Sequence, residues 1–271
     1  SLGPDPDEIL RTVAKQYKTT VPSLLNREAR QAAARRIWAQ LDFRNLSVEV
    51  LSQIWSTTLV DDEVRRRLGI HRTPRTIVRY VVDRIPFEQF GDDKRIILEP
   101  CSGSAVFLIG VMNVLRQKLF GAPPPERHKY FVNHLAAIDK DPFGVEISRL
   151  ALTLADFPNP DSWDIAQEDV FAPGVLTSRL RRAGVVLCNP PFEDFDAEER
   201  GRYRPSSTKK PVELLNRVLD DLHPGGVIGF VMPHLIIDGR GYAPLRKRLA
   251  ERFATVELVT LPDRAFETDA E

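Results

Sequence analysis

The sequence predicts an α/β fold, in which a helical subdomain precedes a doubly wound, mostly parallel sheet. Two observations carry this prediction. From Lys94 onward, short β-branched runs alternate with segments of helical periodicity. Before residue 90 the chain has almost no strand signal. We therefore divide the chain into residues 1–90, the helical subdomain, and residues 91–271, the α/β domain.

The helical subdomain is predicted from apolar residues spaced three to four positions apart. This spacing occurs in REARQAAARRIWAQL (residues 27–41) and in SVEVLSQIWSTTL (residues 47–59), and it gives a helix one apolar face. Several stretches of the subdomain are rich in arginine and could contact phosphate groups. We favour the alternative that these arginines lie on solvent-exposed faces of the helices.

The α/β domain is predicted from strand-like runs separated by helices. Strands are expected in residues 95–100, 134–139, 185–189, 225–233 and 255–261, with a weaker strand just before residues 167–171. Helices are expected in residues 104–119, 141–156, 211–222 and 242–253. Two connections, residues 121–129 and 193–210, are rich in proline or in polar residues, and we predict that both are irregular loops, the second one mobile.

Composition limits the partners and the compartment. The chain has 38 Lys and Arg against 38 Asp and Glu, so nucleic-acid contacts would depend on a local basic patch. No apolar run approaches the roughly 18 residues that span a bilayer, and no secretory leader pattern is apparent. Cys101 and Cys188 are too few for a disulfide framework and lack zinc-site spacing. We expect a cytoplasmic protein without membrane contact.

Candidate ligand residues follow four of the predicted strands. They are the small-residue turn Cys101–Ala105, then Asp139, Asp169 and Asn-Pro-Pro-Phe at residues 189–192. In a doubly wound sheet, ligands bind outside the carboxyl ends of the strands, and a carboxylate after the second strand suits a ribose. Singly these signals are weak, because Asp139 could instead cap the next helix and Asp169 could be a turn residue.

The turn after the first strand narrows the choice of ligand. It lacks the G-x-G-x-x-G sequence of dinucleotide sites, and no lysine follows it as in a phosphate-binding P-loop. The pocket therefore suits an adenosine-containing ligand without a pyrophosphate. S-adenosylmethionine fits this description.

Taken in order, several motifs resemble the class I S-adenosylmethionine-dependent DNA adenine-N6 methyltransferases. The motifs are Thr73-Pro74, ILEPCSGSAVFL, AIDKDP, EDVF, CNPPF and GGVIGFVMP. The resemblance covers roughly residues 46–267 and is greatest to members whose target-recognition domain follows the catalytic domain, including type I modification subunits and phage-defence methyltransferases. It implies a Rossmann-like methyltransferase fold, with double-stranded DNA as substrate and specificity or restriction subunits as partners.

The resemblance implies that the Asn-Pro-Pro-Phe motif (residues 189–192) is catalytic. The Asn189 side-chain oxygen and the Pro190 carbonyl would each accept one hydrogen of the adenine N6 amine. The rings of Pro190 and Pro191 would stiffen the turn, and Phe192 would stack on an adenine rotated out of the duplex. A purely structural turn, with Phe192 in the core, is the alternative.

The resemblance also implies the cofactor contacts. Thr73 would bind the methionine carboxylate and Glu99 the methionine amine. Gly103, with its neighbours Pro100 and Cys101, would line the methionine part of the cofactor.

Two more carboxylates complete the implied cofactor site. Asp139 would bind the ribose hydroxyls, and Asp169 would accept from the adenine amine. The product would be S-adenosylhomocysteine, and no metal is expected. Thr73 is also a plausible N-cap for a helix that has Pro74 at its first position.

The sequence departs from the family at three places, one of which is Arg72, where the family often has an aromatic residue beside Thr73-Pro74. Ala105 stands where the cofactor loop usually has glycine, and a methyl group there costs about 1 kcal/mol if the backbone is left-handed. The family also continues, after residues 255–261, into a further strand and a recognition domain. We therefore expect a catalytic-domain fragment that binds cofactor and methylates weakly.

Two other functions stay open from the sequence. A methyltransferase acting on RNA or on protein glutamine would share the Asn-Pro-Pro turn. A scaffold without catalytic activity, binding DNA or a partner, is the alternative from another class.

Overall fold

The computed structural model describes residues 26–40, 73–89 and 96–262, with a few positions between 5 and 15. Helix α1 covers Arg27–Gln40 and helix α2 covers Arg75–Val82. The first confirms the helix predicted from residue 27, whereas the predicted helix at 47–59 lies outside the described residues. The division of the chain at residue 90 stays a prediction.

The described residues contain one five-stranded sheet, with all strands parallel and in the order β3-β2-β1-β4-β5. The strands are β1 Ile96–Pro100, β2 Leu135–Asp139, β3 Asp164–Gln167, β4 Ala183–Cys188 and β5 Val227–Phe230. This confirms the predicted doubly wound α/β fold. Because the strand order reverses between β1 and β4, the ligand-binding crevice is expected at their carboxyl ends.

Helices cover both faces of the sheet. They are α3 Val106–Lys118, α4 Pro124–His134, α5 Pro142–Ala155, α6 Val175–Leu180, α7 Ala197–Tyr203, α8 Lys210–Asp221 and α9 Ala243–Arg252. No helix in the described part of the chain is both long and apolar enough to cross a bilayer.

Two hydrophobic clusters join the helices to the sheet. The first contains Phe107, Met112, Phe131, Leu152, Val185 and Leu187, and the second contains Leu98, Ile138, Leu180, Val186, Leu214 and Val218. Since neighbouring residues of a strand point to opposite faces, β4 contributes to both clusters and is buried along its whole length. A sheet covered on both faces explains the continuous apolar run of β4.

Helix α2 packs against the first cluster, although it comes before the sheet in the chain. Its residues Ile77, Val78 and Val82 are buried there. Gly110 of α3 allows the close approach, because a Cβ at that position would lie 2.6 Å from the Val78 side chain. This packing fixes the start of α2 beside the sheet.

The structure corrects both predicted loops. Helix α4 begins at Pro124 within residues 121–129, because proline is tolerated in the first helical turn. Residues 193–210 contain α7, which begins with a capping box between Asp196 and Glu199.

The predicted strand at 255–261 is wrong as well. Residues 253–262 form no strand in the structure. Glu257 accepts hydrogen bonds from the Tyr80 hydroxyl at 2.7 Å and from Arg84 Nε at 3.2 Å. A cavity of about 860 Å³ is lined by residues of this segment together with residues of β5 and α2.

Candidate active site

The Asn-Pro-Pro-Phe motif directly follows β4 and contacts the segment that precedes α2. Asn189 Nδ2 donates a hydrogen bond to Thr73 Oγ1 at 3.0 Å, across 116 residues of sequence. This bond orients the Asn189 amide, with its nitrogen toward Thr73 and its oxygen on the opposite side. Thr73 is buried, with 6% of its surface exposed. Helix α2 begins at Arg75 and has no side-chain cap, so the alternative of Thr73 as N-cap is wrong.

The other residues of the motif are buried or half-buried. Pro190 is buried, and Phe192 is half-buried against the first hydrophobic cluster. The thiol of Cys188 donates to the Pro100 carbonyl at 2.9 Å, which ties the end of β4 to the end of β1. The predicted stacking of Phe192 on a base stays a prediction.

The turn after β1 is held in a left-handed conformation at three residues. Cys101 has φ 70°, Gly103 has φ 55° and Ala105 has φ 55°. The left-handed backbone considered for Ala105 is therefore present, and it costs about 1 kcal/mol relative to glycine. The same conformation at Cys101 was not predicted, because residue type gives no signal for it.

Hydrogen bonds to β2 and α5 hold this turn. The amides of Cys101 and Ser102 both donate to the Ile138 carbonyl, at 2.8 and 3.0 Å. The Ser148 hydroxyl donates to the Gly103 carbonyl at 3.0 Å. These hydrogen bonds hold the backbone of the turn in place.

Glu99 is buried at the end of β1, with 2% of its surface exposed. Its carboxyl oxygens accept hydrogen bonds from Leu108 N at 3.0 Å and Phe107 N at 3.4 Å, at the start of α3. Burial raises the pKa of Glu99 from 4.5 to about 8, although these two amides oppose the shift. A cationic amine close to Glu99 would favour its ionised form.

This pKa predicts a dependence of stability on pH. The folded protein keeps the Glu99 proton up to pH about 8, whereas the unfolded chain releases it near 4.5. We therefore expect the free energy of unfolding to fall as pH rises through this window, and to fall less in Glu99→Gln. Urea unfolding at pH 5 and pH 8 measures this. Glu126→Gln, at an exposed site on α4, is the control, and an equal fall in all three proteins would contradict the prediction.

Asp139 is the carboxylate at the end of β2. It accepts from Gly103 N at 2.7 Å and from Asp141 N at 2.9 Å, so it links the turn after β1 to the start of α5. Burial raises its pKa, and the two amides oppose this shift. Asp141 caps α5 by accepting from Phe143 N, so the alternative of Asp139 as the cap is wrong. Gly144 leaves room for the Asp139 carboxyl group, because a Cβ at position 144 would lie 3.1 Å from its carboxyl carbon.

Asp169 follows β3 and stabilises a turn. Its Oδ1 accepts from Phe171 N at 2.8 Å, and its carbonyl accepts from Ala172 N at 2.9 Å, which confirms its interpretation as a turn residue. Its Oδ2 accepts from the Tyr203 hydroxyl at 2.7 Å. Sequence reasoning missed Tyr203, because it lies in the segment predicted to be an irregular loop.

The structure connects two pairs of the predicted site residues. Thr73 bonds to Asn189, and Gly103 bonds to Asp139. The cavity beside β5 is lined by none of the predicted site residues. In the described part of the chain, no group of three or more His, Cys, Asp or Glu side chains is arranged to hold a metal ion.

Solved structures with the same fold include a DrdV–DNA complex, with TM-score 0.61, 17% identity and coverage of 91% of this chain and 28% of that one. A Vibrio vulnificus YJ016 protein, assigned as a modification subunit of a type I restriction enzyme, has TM-score 0.54, 19% identity and coverage of 92% and 52%. This chain therefore spans about half or less of these two proteins.

The chain spans a larger share of a third structure. That structure comes from Listeria monocytogenes and is assigned as a class I S-adenosylmethionine-dependent methyltransferase, with TM-score 0.54, 17% identity and coverage of 90% of this chain and 71% of that one. A comparison with curated proteins gives no match.

The family model described as N-6 DNA methylase matches residues 49–270. This range contains the segment before α2, the complete sheet and the Asn-Pro-Pro-Phe motif, and it agrees with the resemblance inferred from the motifs. The chain therefore belongs to the N-6 DNA methylase family.

Proposed function

We propose that this chain transfers a methyl group from S-adenosylmethionine to the N6 amine of adenine in DNA, as part of a restriction-modification or phage-defence system. The observation that carries the proposal is the hydrogen bond between Asn189 and Thr73. It joins the motif expected to hold the reacting amine to the residue expected to hold the cofactor. Membership in the N-6 DNA methylase family supports the same chemistry.

The residues at the strand ends fit S-adenosylmethionine. The buried carboxyl of Glu99 suits the methionine ammonium, and the Asp139 carboxylate suits the two ribose hydroxyls. The left-handed turn, with Gly103 at its centre, lets a ligand approach the backbone closely. When bound, the cofactor supplies a methyl group on a sulfonium, which is activated for transfer without a metal.

The chain's own contribution to the reaction is the orientation of the amine. The lone pair of an exocyclic adenine amine is delocalised into the ring, so the free amine is a poor nucleophile. The Asn189 side-chain oxygen and the Pro190 carbonyl would accept its two hydrogens and direct the lone pair toward the methyl group. Acceptors placed in this way also stabilise the positive charge that develops on nitrogen. Nitrogen would gain the methyl group as the sulfur–carbon bond breaks, S-adenosylhomocysteine would be left as the product, and the proton lost from the amine would pass to solvent.

Access to the amine requires the adenine to leave the duplex. Enzymes that modify bases rotate the target nucleotide into a pocket and stack it on aromatic or apolar side chains. Phe192 follows Asn189 by three residues and is only half-buried, which supports this role.

The partners are proposed for the whole protein. The DrdV structure contains DNA, and the Vibrio protein is assigned to a type I restriction enzyme. We propose double-stranded DNA as the substrate and specificity or restriction subunits as partners. The net charge of zero favours such help in DNA binding, because a chain without basic excess has little electrostatic affinity of its own.

A substrate panel with tritiated S-adenosylmethionine tests the proposed function. Double-stranded DNA, RNA and a glutamine-containing protein substrate are each incubated with the chain. Label recovered as N6-methyladenine in DNA supports the proposal, and label in RNA or protein alone would support the alternative methyltransferases. Absence of cofactor binding would support the scaffold.

A further inference from the structure

The Asp169 carboxylate has a partner from a distant part of the chain. The Tyr203 hydroxyl, at the end of α7, donates to Asp169 Oδ2 at 2.7 Å, while Phe171 N donates to Oδ1 at 2.8 Å. Because each oxygen has its own donor, the carboxylate is held in one orientation. Burial raises the pKa of Tyr203, so its hydroxyl stays protonated and remains a donor at neutral pH.

Tyr203 belongs to residues 193–210, which we name the strap. The strap begins directly after Phe192, and its two ends are joined to each other. Phe195 N donates to the Thr208 carbonyl at 2.8 Å, and Lys210 N donates to the Glu193 carbonyl at 3.2 Å. The strap is therefore a closed loop that starts at the catalytic motif and contacts the end of β3 through Tyr203.

Two sets of contacts hold Tyr203 in place. The first is a cluster of three aromatic rings, in which Phe171 meets Phe195 edge-on at 4.8 Å between centroids, and Tyr203 lies 6.1 and 6.2 Å from the two. The second is Arg217, whose guanidinium donates to the Phe171 carbonyl at 2.7 Å and to the Tyr203 carbonyl at 3.4 Å. The aromatic cluster and the Arg217 hydrogen bonds together fix the position of the Tyr203 side chain.

Charged groups at the base of the strap reinforce this geometry. The Lys210 side chain is buried, and its ammonium lies 3.0 Å from Glu199 Oε1 and 5.7 Å from the centre of the Phe195 ring. Glu213 Oε2 accepts from Ser206 N and Oγ, both at 2.8 Å. The strap is thus fixed on both sides of α7.

We propose that Tyr203 is a positioning residue that orients Asp169 for recognition of the amine on the cofactor's adenine. A carboxylate has about four lone-pair sites, and Phe171 and Tyr203 take two, so acceptor capacity is left for the amine. The inference rests on the proposed function, because it assumes that Asp169 faces the adenine of S-adenosylmethionine.

The test compares two ligands that differ at the position Asp169 would recognise. S-adenosylhomocysteine carries an amine at C6 of the purine, whereas S-inosylhomocysteine carries a carbonyl, which a carboxylate repels. Calorimetric titration gives the ratio of the two affinities for the wild-type chain and for Tyr203→Phe. The variant keeps the ring and loses only the hydroxyl. The control is Tyr80→Phe, which removes another hydroxyl bonded to a carboxylate, that of Glu257, outside the cofactor site.

We expect Tyr203→Phe to reduce the preference for the amine about tenfold, the value of one hydrogen bond to a charged group, and Tyr80→Phe to leave it unchanged. A general loss of structure would weaken both ligands equally, so the ratio separates positioning from folding. Discrimination in the wild type with an unchanged ratio in Tyr203→Phe would overturn the inference and leave the proposed function intact. Failure of the wild type to bind S-adenosylhomocysteine would overturn both.

Discussion

Asn189→Ala is expected to lower the rate of DNA methylation about 100-fold to 1000-fold, the cost of removing one acceptor or donor that stabilises a transition state. The Asn189 amide is oriented by its bond to Thr73, so its oxygen is in place before the adenine arrives. Such a group contributes to the chemical step more than to cofactor binding. The affinity for S-adenosylhomocysteine should therefore change little.

The measurement is single-turnover transfer of tritium from S-adenosylmethionine to duplex DNA, with cofactor affinity determined in parallel. Asn216→Ala is the control. Asn216 lies on α8, outside the predicted site, and its side-chain oxygen accepts a hydrogen bond from Arg248 of α9 at 2.6 Å. If Asn189→Ala transferred methyl at more than a tenth of the wild-type rate, the catalytic role would be wrong. A loss of rate in both variants would indicate a structural effect.

The strands and their carboxyl ends could be predicted from the sequence, because buried parallel strands are continuous apolar runs followed by small or polar residues. Asp139 and Asn189 stand at the ends of such runs, and topology alone brings these ends to one edge of the sheet. The position of Asp139 after the second strand already suited a ribose, whereas the catalytic role of Asn189 was implied only by the family resemblance.

Contacts that depend on tertiary packing could not be predicted in the same way. Helix α7 has no buried residue, so hydrophobic periodicity gave no signal for it. It is stabilised by its capping box and by contacts such as the Tyr203 bond to Asp169. The apolar alternation of residues 255–261 resembles a strand, but a strand also needs a neighbour, and the Glu257 bond goes to Tyr80 of α2 instead. The apolar pattern of a segment indicates its preference for a strand, but it does not show whether a neighbouring strand is present to pair with it.

Asp139→Ala is expected to reduce the affinity for S-adenosylhomocysteine about 100-fold, because two hydrogen bonds from ribose hydroxyls to a charged group would be lost. The variant also removes the acceptor of Gly103 N and Asp141 N, so a weaker affinity alone would not separate ribose binding from a disturbed turn. A second ligand, the 2′,3′-dideoxy analogue of S-adenosylhomocysteine, makes that separation.

If Asp139 binds the hydroxyls, the wild type should prefer the ribose ligand strongly and Asp139→Ala should bind both ligands equally weakly. If Asp139 only supports the turn, the variant should lose affinity for both ligands by the same factor and keep the wild-type preference. Asp164→Asn is the control. Asp164 lies at the amino end of β3, away from the carboxyl ends of the strands, and pairs with Arg179. Isothermal titration of the three proteins with the two ligands gives all six affinities. A preserved preference in Asp139→Ala would place the ribose elsewhere, because a carboxylate that contacts the hydroxyls cannot be removed without loss of the discrimination it provides.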